Sequence, residues 1–298
     1  MREALESGRP AALATIVALS GGGPRPVGTQ MVMAPEPLAG FLSGGCLEAD
    51  VAGHGALVLE EGQPRRLIYG QGSPWPDIRL LCGARIEILL ERIDPGDEAA
   101  RRLFALMDAR VPAVWIGDGS RRLCAPLTDD PAAWPGAFRR IHPPAPRLIV
   151  LGGDPTALAI AALGAGAGCQ TTLVRPKGSA EPPPLAGVAY SRDDPATALG
   201  TIGLDAWTAV AVATHDAELD HAALVAALPS TAFYVGALGA RRRAPDRREG
   251  LRRAGIGQRD LDRLHAPIGL DIGGKAPWEV AIAVMAQITA LRRALAGA

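Results

Sequence analysis

The residues best suited to chemistry sit in glycine-rich turns. Ser43-Gly44-Gly45-Cys46-Leu47-Glu48 joins a predicted strand to a predicted helix and sets Cys46 near a helix N-terminus. The positive end of a helix dipole stabilises a thiolate, so this turn is a place for sulfur or soft-metal chemistry. Glu48, two residues on, is suited to orient a donor or to act as a base. Cys82-Gly83 opens a second such turn just before a strand at Arg85, and the two thiols could meet across a sheet. Cys82 also follows Leu80-Leu81, and on spacing alone a small buried hydrophobe is the better account of it. The four cysteines, Cys46, Cys82, Cys124 and Cys169, are too scattered for a zinc cluster or a disulfide scaffold.

A second set of turns is suited to anions. Leu151-Gly152-Gly153-Asp154-Pro155-Thr156-Ala157 follows a strand and opens a helix, the position of a Rossmann fingerprint. Asp154 replaces the second glycine, bringing bulk and negative charge to the place where a pyrophosphate would approach, and Arg175-Pro176-Lys177 follows Val174 where a ribose-binding acid is expected. Both changes impair an ordinary NAD(P) site, although Arg175 is suited to a 2′-phosphate. Tyr234-Val235-Gly236-Ala237-Leu238-Gly239-Ala240-Arg241-Arg242-Arg243 combines a glycine turn with forked donors suited to phosphate. A solvated basic helix explains the same arginines. Thr214-His215-Asp216 closes the preceding strand, so His215 is a ligand contact or Asp216 only a helix cap. His265-Ala266-Pro267-Ile268-Gly269-Leu270-Asp271-Ile272-Gly273-Gly274 is a further turn ahead of the last helix.

These turns need two kinds of scaffold. Residues 11–19, 29–34, 38–42, 66–69 and 85–91 read as strands, with helices over 46–60 and 97–110 and a hairpin from 114–116 to 122–126. Residues 128–146 lose periodicity and are rich in proline, which predicts a linker. Beyond it, strands at 147–151, 170–174, 207–213 and 231–235 alternate with helices at 155–164 and 218–228, and a helix over 277–295 closes the chain. The expected fold is α/β: a Rossmann-like parallel sheet with helices on both faces over 147–298, preceded by a smaller mixed α+β domain over 1–127.

Composition narrows the partners. The 298 residues carry 31 basic and 31 acidic side chains, which argues against nucleic acid. All but two of the basic residues are arginine, so a lone arginine carries little weight. Neutrality is an average: residues 241–253 hold seven arginines against Asp246 and Glu249. No signal-peptide pattern and no membrane-length apolar run is visible, so a cytoplasmic chain without a membrane span is expected.

Set in order, several segments resemble the XdhC/CoxI family, the xanthine dehydrogenase accessory factors. They are Pro24-Arg25-Pro26-Val27-Gly28, Ser43-Gly44-Gly45-Cys46-Leu47-Glu48, Cys82-Gly83-Ala84-Arg85-Ile86-Glu87, Pro144-Ala145-Pro146-Arg147-Leu148-Ile149, Thr214-His215-Asp216, and the long motifs beginning at Tyr234 and His265. The resemblance implies a non-catalytic chaperone that binds molybdenum cofactor (a molybdopterin), supports its sulfuration by a cysteine desulfurase and passes it to xanthine dehydrogenase or a related molybdenum hydroxylase. It implies that Cys46 and Cys82 handle the metal or sulfur end. Arg25, Gly44, Gly45 and Glu48 would shape that end of the site. Gly239, Arg241 and Arg242 would take the phosphate, with His215, Asp216 and Asp271 as further contacts. A homodimer is expected. The contrasting reading is an NAD(P)-dependent oxidoreductase with His215 or His265 as proton donor.

Overall fold

A computed structural model of the chain describes residues 1–23, 25–33, 38–73, 83 and 85–295. The chain divides into two compact units, Met1–Pro144 and Ala145–Ala298. The first contains α1 (Arg2–Glu6), β1 (Ala11–Ser20), β2 (Gln30–Met33), α2 (Glu48–Glu61), β3 (Arg65–Gly70), β4 (Arg85–Ile93), α3 (Glu98–Asp108), β5 (Ala113–Gly117), β6 (Arg122–Pro126) and β7 (Phe138–His142). Antiparallel pairing gives a four-stranded sheet, β2-β1-β4-β3, and a three-stranded sheet, β6-β5-β7.

Strand alternation sends β1 side chains to two different cores. Ala12, Ala14 and Ile16 join Val51 and Val58 of α2, whereas Leu13 joins α3 and Trp115. Gly55 lets α2 lie close to the sheet, since a Cβ there would stand 2.5 Å from the Met33 sulfur. On the second face, buried Glu91 of β4 lies 3.2 Å from Arg122, which also reaches Asp97, the N-cap of α3, at 2.7 Å. Burial raises the Glu91 carboxyl to about 7, against the pull of Arg122.

Two expectations need correction here. The segment 128–146 is not a linker: Phe138–His142 carries no proline and pairs antiparallel with β5, so the prolines flank a strand rather than interrupt a ladder. Residues 38–42 form no strand. Ala39 makes one isolated bridge to Val32, and the chain then turns to meet α2.

The second unit contains β8 (Arg147–Gly152), α4 (Pro155–Gly166), β9 (Gln170–Val174), β10 (Val188–Ser191), α5 (Pro195–Ile202), β11 (Thr208–Ala213), α6 (Ala217–Ala227), β12 (Tyr234–Ala237), α7 (Ala244–Arg253), α8 (Gln258–Leu261), β13 (Leu264–His265) and α9 (Pro277–Leu295). Its sheet is wholly parallel, in the order β10-β9-β8-β11-β12-β13. Thr208–Ala213 is buried throughout. Ala209, Ala211 and Ala213 face α4 and α9, while Val210 and Val212 face α5, α6 and α7. This confirms the Rossmann-like α/β expectation, and the strand order reverses direction between β8 and β11. Among the described residues no helix is long and apolar enough to cross a membrane.

Candidate functional site

In the first unit the turn before α2 is tied together by one carboxylate. Glu48 Oε1 accepts from the Leu42 and Ser43 amides at 3.0 and 2.7 Å, and Oε2 accepts from the Ser43 hydroxyl and the Gly45 and Leu47 amides at 2.7, 3.0 and 3.1 Å. The Ser43 hydroxyl oxygen in turn accepts from the Cys46 and Leu47 amides. Partial burial raises the Glu48 pKa, but the Ser43 hydroxyl and the backbone amides outweigh it and bring it to about 2. Glu48 is therefore the anchor of the turn and not a base. Gly44, Gly45 and Cys46 are exposed on the turn so held.

Arg25 is exposed on the loop that follows β1, and among the described residues no hydrogen bond or ion pair links it to the Cys46 turn. Cys82 lies outside the described residues, as does any meeting of the two thiols. Cys124 and Cys169 are buried, and burial pushes both thiols up, Cys124 to about 11. Among the described residues no group of three or more His, Cys, Asp or Glu is arranged to hold a metal ion.

In the second unit the expected residues gather at the carboxyl edge of the sheet, but in two clusters. At the β8/β11 reversal, Asp154 caps α4 through the Ala157 amide at 2.8 Å, and its other oxygen lies 2.9 Å from His215 Nε2. Burial raises the Asp154 pKa, and the Ala157 amide and His215 more than offset this. Arg175 lies over Gly153 so closely that a Cβ there would be 2.5 Å from its Nε. The place where a Rossmann fold seats a pyrophosphate thus holds a carboxylate and a guanidinium of the chain itself. Asp216 caps α6 through the Glu218 and Leu219 amides and pairs with Lys177. With Gly153, Arg175 and Thr214 it lines a cavity of about 260 Å³.

The second cluster lies between α6 and α7. Buried Asp220 accepts from the Thr214 amide and hydroxyl at 3.2 and 2.6 Å and pairs with Arg247 at 3.1 Å. Arg247 also donates to the Leu238 carbonyl at 3.0 Å, so one clamp joins the loops after β11 and β12. Gly239 has φ +150°, and a Cβ on it would stand 3.3 Å from Arg247, so glycine is required there. A cavity of about 410 Å³ is lined by His215, His221, Gly239, Arg243, Asp246 and Arg247. Sequence reasoning did not single out Asp220, His221 or Arg247. The i, i+4 spacing of Asp216 and Asp220 at a helix start was the available signal.

Arg241 is exposed and bonded to Asp271, which joins the loops after β12 and β13 and neutralises part of the proposed phosphate site. Arg242 is exposed. The basic helix is also less free than its composition suggests, since Arg248 donates to the Leu261 carbonyl and Arg252 and Arg253 pair with Glu249. His265 is stacked on Tyr234 at 4.8 Å, and burial lowers its pKa, which favours the neutral ring. Tyr234 donates to Gln287 Oε1, which also accepts from the Gly269 amide, so this turn is fastened to α9.

Comparison with known proteins bears on the chain from end to end. A family model described as XdhC Rossmann domain matches residues 148–288, and one described as XdhC and CoxI family matches residues 4–70. The protein named molybdenum cofactor insertion chaperone PaoD, from Escherichia coli, is 30% identical over 97% of this chain and 86% of its own length. A Bacillus subtilis protein, named as a subunit of a probable xanthine dehydrogenase, is 25% identical over 98% and 96% of the two chains. A crystal structure of a protein named as a xanthine dehydrogenase, from Bacillus halodurans, superposes with a TM-score of 0.77 at 24% identity, covering 98% of this chain and 95% of that one, and so shares the fold. A relative as similar as PaoD along nearly the whole length, with both family models in matching order, means that the chain belongs to the XdhC and CoxI family.

Proposed function

We propose that the chain is an accessory chaperone that binds molybdenum cofactor, supports its sulfuration by a cysteine desulfurase, and inserts it into xanthine dehydrogenase or a related molybdenum hydroxylase. The observation that carries this reading is the match to the PaoD chaperone along 97% of the chain. An exposed thiol on a turn held by its own anchor, Glu48, suits a protein that receives and gives up sulfur or a thiolate-bound metal. In this reading Cys46, with Cys82, meets the metal or sulfur end of the cargo, beside Gly44, Gly45 and Arg25. Gly239, Arg241 and Arg242 take the phosphate, and His215, Asp216 and Asp271 set the walls of that edge. Glu48 acts through the turn rather than on the cargo. A homodimer is part of the proposal.

The closed Rossmann turn speaks against the oxidoreductase reading, because Asp154 and Arg175 stand where a dinucleotide would be bound. The chaperone reading is tested by purifying the chain from a cofactor-producing host and assaying released pterin. Bound pterin is expected, together with impaired hydroxylase maturation in a deletion strain. Absence of both refutes the proposal, and tight calorimetric binding of NADP would favour the alternative.

A further inference from the structure

Arg140 on β7 is a cation for which the described residues supply no partner. Its Nε and Nη1 are buried without a hydrogen-bond partner, and among the described residues no carboxylate lies within ion-pair distance of it. Its cross-strand neighbour Trp115 and, two residues along the same face, His142 also carry buried ring nitrogens without a partner. Burial lowers the Arg140 pKa to about 10, so it stays charged at neutral pH, while burial and then the Arg140 charge bring His142 to about 3. On this face the largely buried guanidinium and the indole N–H are donors only, and neutral His142, whose ring can accept, bonds to neither, since its Nε2 has no partner. An uncompensated charge in such a place is costly to the fold.

Arg140 is not wholly buried, and the rest of its side chain borders open space. Strand β7 is an edge strand, and the turn after β1 lies against it, leaving a cavity of about 400 Å³ lined by residues 26–29 and 139–141. The turn is preformed: the Thr29 amide and hydroxyl both donate to the Pro26 carbonyl, and the Gly28 amide donates to the Ile16 carbonyl at 2.7 Å. Gly28 has φ +87° and no side chain to fill the space, and a Cβ on it would lie 3.8 Å from Arg140 Cγ. Arg139, on the opposite face of the strand, is already paired with Asp130.

We propose that this cavity is an oxyanion seat, in which the Arg140 guanidinium binds the phosphate or carboxylate group of a small ligand against the 26–29 turn. The proposal is independent of the molybdenum-cofactor reading and can fail or stand without it. The test is calorimetric titration and thermal melting of the full chain with inorganic phosphate in one arm and succinate in the other. Saturable binding and a raised melting temperature are expected in at least one arm, and the arm that responds names the group. Arg140→Met should abolish that response and, without anion, melt no lower than the wild type, because an unpaired buried charge has been removed. Arg140→Lys, which keeps the charge but not the fork, should weaken binding about ten-fold. Wild-type protein silent to both anions at millimolar concentration overturns the proposal. So does an Arg140→Met variant that binds as the wild type does, melts clearly lower or fails to fold.

Discussion

Glu48→Gln isolates the anchor of the Cys46 turn. A glutamine has the same shape but only one acceptor oxygen. Seated in place of Oε2, that oxygen keeps the Ser43 hydroxyl and the Gly45 and Leu47 amides, while the new NH2 group faces the Leu42 and Ser43 amides that Oε1 accepted. The native turn holds the carboxylate at about 2 against an ordinary 4.5. At full strength that difference corresponds to roughly 3 kcal/mol, and solvent screening of so exposed a group reduces it to about 1–2 kcal/mol. Amides of the turn should then exchange hydrogen about 5–30 times faster in the variant at neutral pH, read by mass spectrometry on peptides covering residues 42–48. The pH dependence has a definite sign. Because the folded pKa is depressed, the stabilisation is complete above the unfolded value and is lost as pH falls through the folded one, so the stability gap between the two chains should close between pH 4.5 and about 2. Equal exchange rates at neutral pH, or a gap that does not narrow in acid, would refute the anchoring role.

Cys46→Ser should leave urea unfolding within about 0.5 kcal/mol of the wild type, since the side chain is exposed, and should lower the pterin recovered from the purified chain. Asp220→Ala strands Arg247 and removes the acceptor of Thr214, so thermal unfolding should report a loss of about 3 kcal/mol. A loss within the scatter of surface substitutions would contradict the clamp. Glu91→Gln tests the opposite sign of linkage: the folded carboxyl is raised to about 7, so the wild type loses stability as pH rises from the unfolded value toward 7. The variant's advantage in melting temperature should therefore grow over that window and level off above it, and an advantage independent of pH would contradict the assignment.

The parallel sheet was legible because its strands announce themselves. Thr208–Ala213 is an unbroken small and β-branched run, and Asp154-Pro155 marks a helix start by cap and ring together. The same signature at Asp194-Pro195 starts α5, where the charged residues just ahead of it mask a helix of only eight residues. β7 was hidden because proline on both sides outweighed five residues that pair well. The site was legible as a set of turns but not as contacts. Glu48 reads as a base from its spacing to Cys46, and its partners are mostly backbone amides, which leave no mark in a sequence. Likewise Arg241 reads as free charge until Asp271, thirty residues on, is brought to it by the fold.

The Asp220–Arg247 clamp has a kinetic consequence. With Thr214 and Leu238 already bonded to one ion pair, the proposed cargo arriving at this edge would order little chain on binding and lose little conformational entropy. The same contacts make loop opening a less favourable route of departure. If the cargo is held at this edge as proposed, its residence time is set by how well a competing surface takes over its contacts one at a time, so unloading should speed up with the concentration of the receiving protein and be slow without it.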